Sequence, residues 1–191
     1  MGWLDTFLDW GAGLDHLRVL AKTEPLDLTR AVSVGHSAGA LAALWVAARD
    51  KLPASGEIRG TDPLRVSAAV ATDGPGDLAA MIGPDAKTCD RPVIAPLMGG
   101  MPSKHPERHR QASPIELLPL GPPQYLVSSK VLSAGVANAP RDRAIARGDK
   151  AEILAVPNGG HFDIITPGTK AWGEVEGFIL DHGFGEAAHT P

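Results

Sequence analysis

Cys89 is the only cysteine in the sequence, so no internal disulfide can form. A lone thiol fits a reducing compartment. It sits in the turn-like stretch Thr88-Cys89-Asp90-Arg91-Pro92, where no catalytic partner is evident, and reads as a loop cysteine. No apolar run approaches the ~18 residues of a membrane-spanning helix. The start, Met1-Gly2-Trp3-Leu4-Asp5, lacks the basic opening of a secretory signal. An excess of positive charge is also missing. Lys and Arg total 18 against 22 for Asp and Glu, a formal charge of -4. That balance argues against a nucleic-acid or anionic-membrane partner. The cytoplasm is the expected location. No internal repeat and no domain-splitting linker is visible.

What is present is a chain of 191 residues, 43% hydrophobic, which suits one domain with a real core. Leu4, Phe7, Leu8, Leu14, Leu17 and Leu20 recur at helical steps and predict an amphipathic helix to about Lys22. Ala31-Val32-Ser33-Val34 is a short buried-strand signal, followed by a helix rich in Ala and Leu from Ala38 to Arg49. Val66 to Ala71 predicts a second strand, and Asp77 caps a short helix after it. The stretch 83–123 is rich in Pro and Gly and reads as a lid-like or irregular segment. A third strand is expected over Gln124–Ser128, then a helix ending near Gly148, a fourth strand over Glu152–Val156 and a last helix from about Thr169 to His182. The tail from Gly185 to Pro191 is expected to fray. Strands alternating with helices imply an α/β fold, a mostly parallel sheet with helices on both faces.

Gly35-His36-Ser37-Ala38-Gly39 is a G-x-S-x-G pentapeptide between a predicted strand and a predicted helix. That context belongs to a nucleophile elbow. The serine occupies a strained turn whose neighbours must be small, and the turn lifts its hydroxyl clear of the sheet. The helix N-terminus behind it offers free N–H groups to a developing oxyanion, with Ala38 as one donor. The competing reading is a glycine turn whose serine only caps the helix. The His36 side chain is expected to point away from the site.

A serine hydroxyl needs a base. His161 follows the fourth strand in Asn158-Gly159-Gly160-His161-Phe162, at the same sheet edge as Ser37. The alternative is a structural turn histidine. His105 and His109 are four apart, but Pro106 disfavours a helix there and no third metal ligand is evident, so this stretch reads as a solvated basic loop. His16, His182 and His189 read as surface residues.

These stretches resemble the α/β-hydrolase superfamily, in particular carboxylesterases and the kynurenine-formamidase-like group. The similarity rests on Leu28 to Gly39, Ala112-Ser113-Pro114-Ile115 and Gly159 to Ile165. Two departures stand out. Relatives carry upstream strands and an H-G-G type loop that supplies a second oxyanion donor; nothing here matches that loop. The absence of those strands implies a truncated form of the fold, with the first strand at an open sheet edge and a homodimer formed through it. Relatives also place the triad acid just after the third strand, where this sequence reads Ser128-Ser129-Lys130-Val131-Leu132-Ser133-Ala134, without a carboxylate. Asp73, after the second strand, is the first substitute, and Asp142 the second. Asp163 is too close in sequence to His161 to orient it.

The resemblance implies a serine esterase acting on small carboxylic esters, with Ser37 as nucleophile, His161 as general base and no cofactor or metal. An amidase or formamidase would share the machinery. Ile94, Leu97, Met98 and Met101 are candidates for an apolar cap over the acyl group, or for core. The alternative is a hydrolase-like binding or scaffold protein without catalysis, favoured by the two departures.

Overall fold

Four parallel strands form the centre of the molecule, and each enters the sheet in chain order. A computed structural model describes residues 2–132 and 134–184, apart from the side chains of 134–136. The Gly185–Pro191 tail, including His189, lies outside them. The strands are β1 (Val32–His36), β2 (Ala68–Thr72), β3 (Gln124–Ser129) and β4 (Ala151–Val156), and the sheet order is β1-β2-β3-β4. Val34 pairs with Val70, Ala71 with Leu126 and Val127 with Leu154. β1 and β4 are the two edges.

Strand alternation sorts the side chains onto two faces. Ala69, Ala71 and Leu126 pack under α3 (Ala38–Ala47), against Ala40 and Leu44. α8 (Ala134–Ala146) lies on this face too, against β3 and β4. Ala68, Val70, Tyr125 and Val127 face the other way, toward Val175 and Phe178 of α9 (Lys170–Gly183). The helices therefore cover both faces, as the alternation of elements predicts. Thr169 caps α9, its hydroxyl accepting from the Trp172 N–H at 3.0 Å. Within the described residues, no helix is long and apolar enough to cross a membrane.

A second core lies on the outer side of α3. α1 (Trp3–Asp15) presents Trp3, Phe7 and Trp10 to Trp45, with Phe7 and Trp45 in edge contact at 5.0 Å. The buried stripe of α1 is thus aromatic, and the expected Leu4 and Leu8 point to solvent. The helical pattern pauses at His16 and resumes as the single turn α2 (Leu17–Leu20).

The stretch 83–123 is less irregular than its composition implies. After α4 (Leu78–Met81), capped by Asp77, it folds as α5 (Pro84–Thr88), α6 (Ile94–Met98) and α7 (Pro106–Ala112). Ile94 and Met98 belong to the core with Phe7 and Trp45, Leu97 packs against it, and Met101 is exposed. These short helices read as loop because Pro sits at the N-terminus of α5 and α7, where its missing N–H removes no helical bond. Asp85 holds the segment together. Its carboxylate accepts from the Gly83, Val93 and Ile94 amides at 2.9–3.0 Å.

Beneath α1, the buried Arg49 guanidinium donates to the Gly11 and Arg59 carbonyls and to both carboxylate oxygens of Asp15. Burial pushes the Asp15 carboxyl up, but the Arg49 bonds, the Leu64 amide and the Arg18 charge outweigh it and leave it below its ordinary value. The stabilisation linked to this depressed group is complete at neutral pH, and is lost as acid carries the pH through its folded value. Asp15→Ala leaves a buried guanidinium short of its anion and is expected to cost about 3 kcal/mol in urea unfolding at neutral pH. Repeated in acid, below the folded value of Asp15, the same comparison should show a smaller gap.

Candidate active site

The strand ends that carry Ser37, Asp73 and His161 all lie at one edge of the sheet, because every strand is parallel. Ser37 joins β1 to α3 with φ 56° and ψ −119°, a region L residues avoid. The strain is held from several sides. A Cβ on Gly35 would collide with the Gly39 carbonyl, and one on Gly74 with the Ser37 carbonyl and Ala40. The Ser37 N–H donates to the Thr72 carbonyl at 2.9 Å, and the Thr72 hydroxyl donates to the Gly35 carbonyl at 2.9 Å. The elbow is thereby pinned to the end of β2.

Ser37 does not cap α3 with its side chain, which removes the structural alternative for this motif. Among the described residues its hydroxyl has no hydrogen-bond partner. The Ala38 N–H opens α3, where no preceding turn supplies a carbonyl. It is the donor available to a negative oxygen beside Ser37.

Asp73 follows β2 with φ 46° and is fully buried. Its Oδ2 accepts from His161 Nδ1 at 2.9 Å. Its Oδ1 accepts from the Ser129 N–H at 2.7 Å, and the Ser129 hydroxyl also donates to Oδ2. Three donors therefore satisfy a carboxylate that has lost its water. With the Nδ1 proton committed to Asp73, His161 keeps its Nε2 lone pair, and the ring retains some exposure. Asp142 lies on α8, paired with Arg141 and largely exposed, and makes no bond to His161. Asp163 accepts from the Gly160 N–H at 2.8 Å and shapes the histidine turn.

Sequence reasoning missed two residues. Ser129 is the last residue of β3, just before the stretch where the resemblance puts the acid; here its hydroxyl and N–H grip Asp73 instead. His36 does not point away. It shares a strand face with Val32 and Val34, and this face turns toward the His161 loop. Its Nε2–H donates to the His161 carbonyl at 2.9 Å, and the two rings lie 4.3 Å apart. Period-two alternation along β1 was the available signal. Burial and the neighbouring His161 lower the pKa of His36 below its ordinary value, against the opposing pull of the His161 carbonyl and Asp73.

The remaining histidines sit elsewhere. Pro106 opens α7 rather than preventing it. His109 is buried, not solvated, with Nε2 2.9 Å from the Gly100 carbonyl, and His105 Nε2 is 3.2 Å from the Gly99 carbonyl. Both tie down the glycine turn before α7. Among the described residues no cluster of His, Cys, Asp or Glu has the geometry to hold a metal.

A parallel sheet with a strained serine between strand and helix, and a histidine after a later strand, is the α/β-hydrolase fold. Solved structures bear this out. An esterase from Thermogutta terrifontis, with butyrate bound, matches at TM-score 0.68 and 16% identity, over 96% of this chain and 68% of that one. The uncomplexed acylaminoacyl peptidase of Pyrococcus horikoshii matches at TM-score 0.66 and 16% identity, over 96% of this chain. This chain spans only 29% of that peptidase's length. The structural neighbours are thus described as an esterase and a peptidase. No protein-family model matches the sequence, and no curated protein is significantly similar to it.

His36→Phe keeps a ring against His161 but removes the donor to its carbonyl. Amide exchange over 160–162 is expected to accelerate about fivefold, with the fold retained. The lowered pKa of His36 has a sign. The unfolded chain binds the proton more readily, so stability rises with pH across this titration and falls as the pH drops below the ordinary histidine value. Unfolding midpoints of wild type and His36→Phe, compared from about pH 8 down to about pH 5, should show wild type losing its relative advantage in acid.

Proposed function

We propose that the protein is a serine hydrolase that cleaves small carboxylic esters through an acyl-enzyme on Ser37. The observation that carries this reading is the 2.9 Å bond between His161 and the buried Asp73, at the sheet edge that also bears the strained Ser37 elbow. Asp73 fixes the tautomer in which Nε2 is the base. His161 takes the Ser37 proton as the hydroxyl oxygen attacks the ester carbonyl, and the Ala38 N–H donates to the oxyanion that forms. Collapse of that intermediate expels the alcohol, which receives the proton from His161. Water, deprotonated by His161, then releases the acid and restores Ser37. The protein's own groups perform each of these proton transfers, so the reading requires no metal or cofactor.

Support for the ester reading comes from the Thermogutta esterase, described with butyrate bound and, in a second structure, phosphoramylated by tabun. A further neighbour, an acylaminoacyl peptidase described in complex with Z-Gly-Gly-Phe-chloromethyl ketone, makes an amide the natural competitor substrate. Esters are favoured because an alcohol is a better leaving group than an amine, so ester cleavage asks less of the Ala38 donor.

Hydrolysis of p-nitrophenyl acetate and butyrate tests this. Ser37→Ala and His161→Ala are expected to fall to the uncatalysed background, and Asp73→Asn to lose on the order of 10²–10⁴ in kcat. Asp142→Asn should match wild type. Turnover by wild type no greater than by Ser37→Ala, at equal unfolding midpoints, would reject the catalytic reading and favour a binding protein.

A further inference from the structure

The chain at the end of β3 divides its amides between the acid and the base. The Ser129 N–H donates to Asp73 Oδ1 at 2.7 Å. The next amide, that of Lys130, donates to the Gly159 carbonyl at 3.2 Å, two residues before His161. The amide after it, that of Val131, turns back onto the Ser129 hydroxyl oxygen at 3.0 Å. One short segment therefore holds Asp73 and the turn that carries His161 at a fixed spacing.

A serine hydroxyl has one proton and rotates to suit its surroundings. Here its direction is set. The Val131 N–H occupies a lone pair of the oxygen, and the proton goes to Asp73 Oδ2. That same oxygen accepts from His161 Nδ1 at 2.9 Å. Ser129 thus holds both carboxylate oxygens, one by its N–H and one by its hydroxyl, and fixes the plane in which Oδ2 meets the imidazole. Ser129 is 2% exposed, so solvent is poorly placed to stand in for the hydroxyl. Among the described residues, the other side chain that donates to Asp73 is His161 itself. Without the serine hydroxyl, the acid and the base orient mainly each other.

We infer that Ser129 is a positioning residue for hydrolysis: its hydroxyl locks the Asp73 carboxylate so that the His161 ring is held ready for the Ser37 proton. This role rests on the serine-hydrolase reading. Ser129 acts through Asp73 and touches no substrate. Loss of its hydroxyl is therefore felt in kcat and not in KM, because a slightly misplaced ring hinders proton transfer without weakening binding. The bond from the Ser129 N–H to Oδ1 is made by the backbone and survives a change of side chain, so side-chain variants isolate the hydroxyl.

Ser129→Ala and Ser129→Thr test this in the full chain. With p-nitrophenyl butyrate, Ser129→Ala should lose about tenfold in kcat at unchanged KM, and Ser129→Thr, which keeps the hydroxyl, should recover most of it. A second readout is the proton on His161 Nδ1, followed by proton NMR and assigned by its absence from His161→Ala. Wild type should show it as a sharp downfield resonance, slow to exchange. In Ser129→Ala the resonance should broaden as the carboxylate gains freedom, with the unfolding midpoint showing the variant folded. A serine that only supports the fold would lower the midpoint and leave kcat and the resonance as they are, and that result overturns the inference. So does a Ser129→Thr variant with the midpoint of wild type and the kcat of Ser129→Ala. If Ser129→Ala does not fold, Ser129→Cys, of similar size but with a weak S–H donor, carries the comparison. Wild-type kcat and a sharp resonance in that variant overturn the inference equally. The resonance needs no turnover to be seen. Absence of Ser37-dependent hydrolysis in wild type sinks the hydrolase reading, whereas Ser37-dependent hydrolysis that Ser129→Ala leaves intact sinks this inference alone.

Discussion

The Asp73 carboxylate is anionic, fully buried and surrounded by strand ends, and a charge in that position persists only if donors replace its water. Those donors come from different strands. Ser129 reaches it from β3 with both an N–H and a hydroxyl, and His161 reaches it from the turn after β4. Asp73 itself closes β2. One anion thus ties the ends of three adjacent strands and dictates where the imidazole sits. β1 joins the arrangement by a separate route, through the Ser37–Thr72 and Thr72–Gly35 bonds and through His36 on the His161 carbonyl. Positioning of the His161 ring and strain at the elbow are consequences of how these ends are fastened.

Much of this was legible in the chain. G-x-S-x-G between a β-branched run and an Ala-rich helix located the elbow, because few residue types tolerate such a turn. The four strands were visible as short apolar runs bounded by Gly and Pro. Asp73 could be named as a substitute acid because it closes a parallel strand, and every such closure falls at one edge. What the sequence concealed were partners rather than elements. Ser129 is one of several hydroxyls near the end of β3, and nothing local marks it as the residue that grips an acid distant in the chain. His36 reads as an elbow residue, and only the alternation of β1 turns its ring toward the His161 loop.

Composition misled over 83–123. Proline and glycine there signal loop, yet Pro84 and Pro106 start helices, and Ile94 and Met98 fill a core shared with Phe7 of α1 and with Leu41 and Trp45 of α3. The same limit applies to Leu4 and Leu8, which fit a helical period but lie one position off the buried stripe. Periodicity identifies a helix more reliably than it identifies which face a neighbour will cover.

The sheet has no hairpin. Each pairing joins segments far apart in sequence: Val34 to Val70, Ala69 to Gln124, Leu126 to Ile153. Contacts of this kind form late, because long loops must close before any bond rewards them. The elbow needs β1 and β2, whereas the anion finds its donors only when β3 and β4 have docked. A chain in which only β1 and β2 have paired therefore carries the strain of Ser37 without an imidazole held on Asp73. Under the proposed function, the return of serine reactivity after dilution from denaturant would report when the end of β2 has met β3 across the longest of the three separations, a built-in clock for completion of the site.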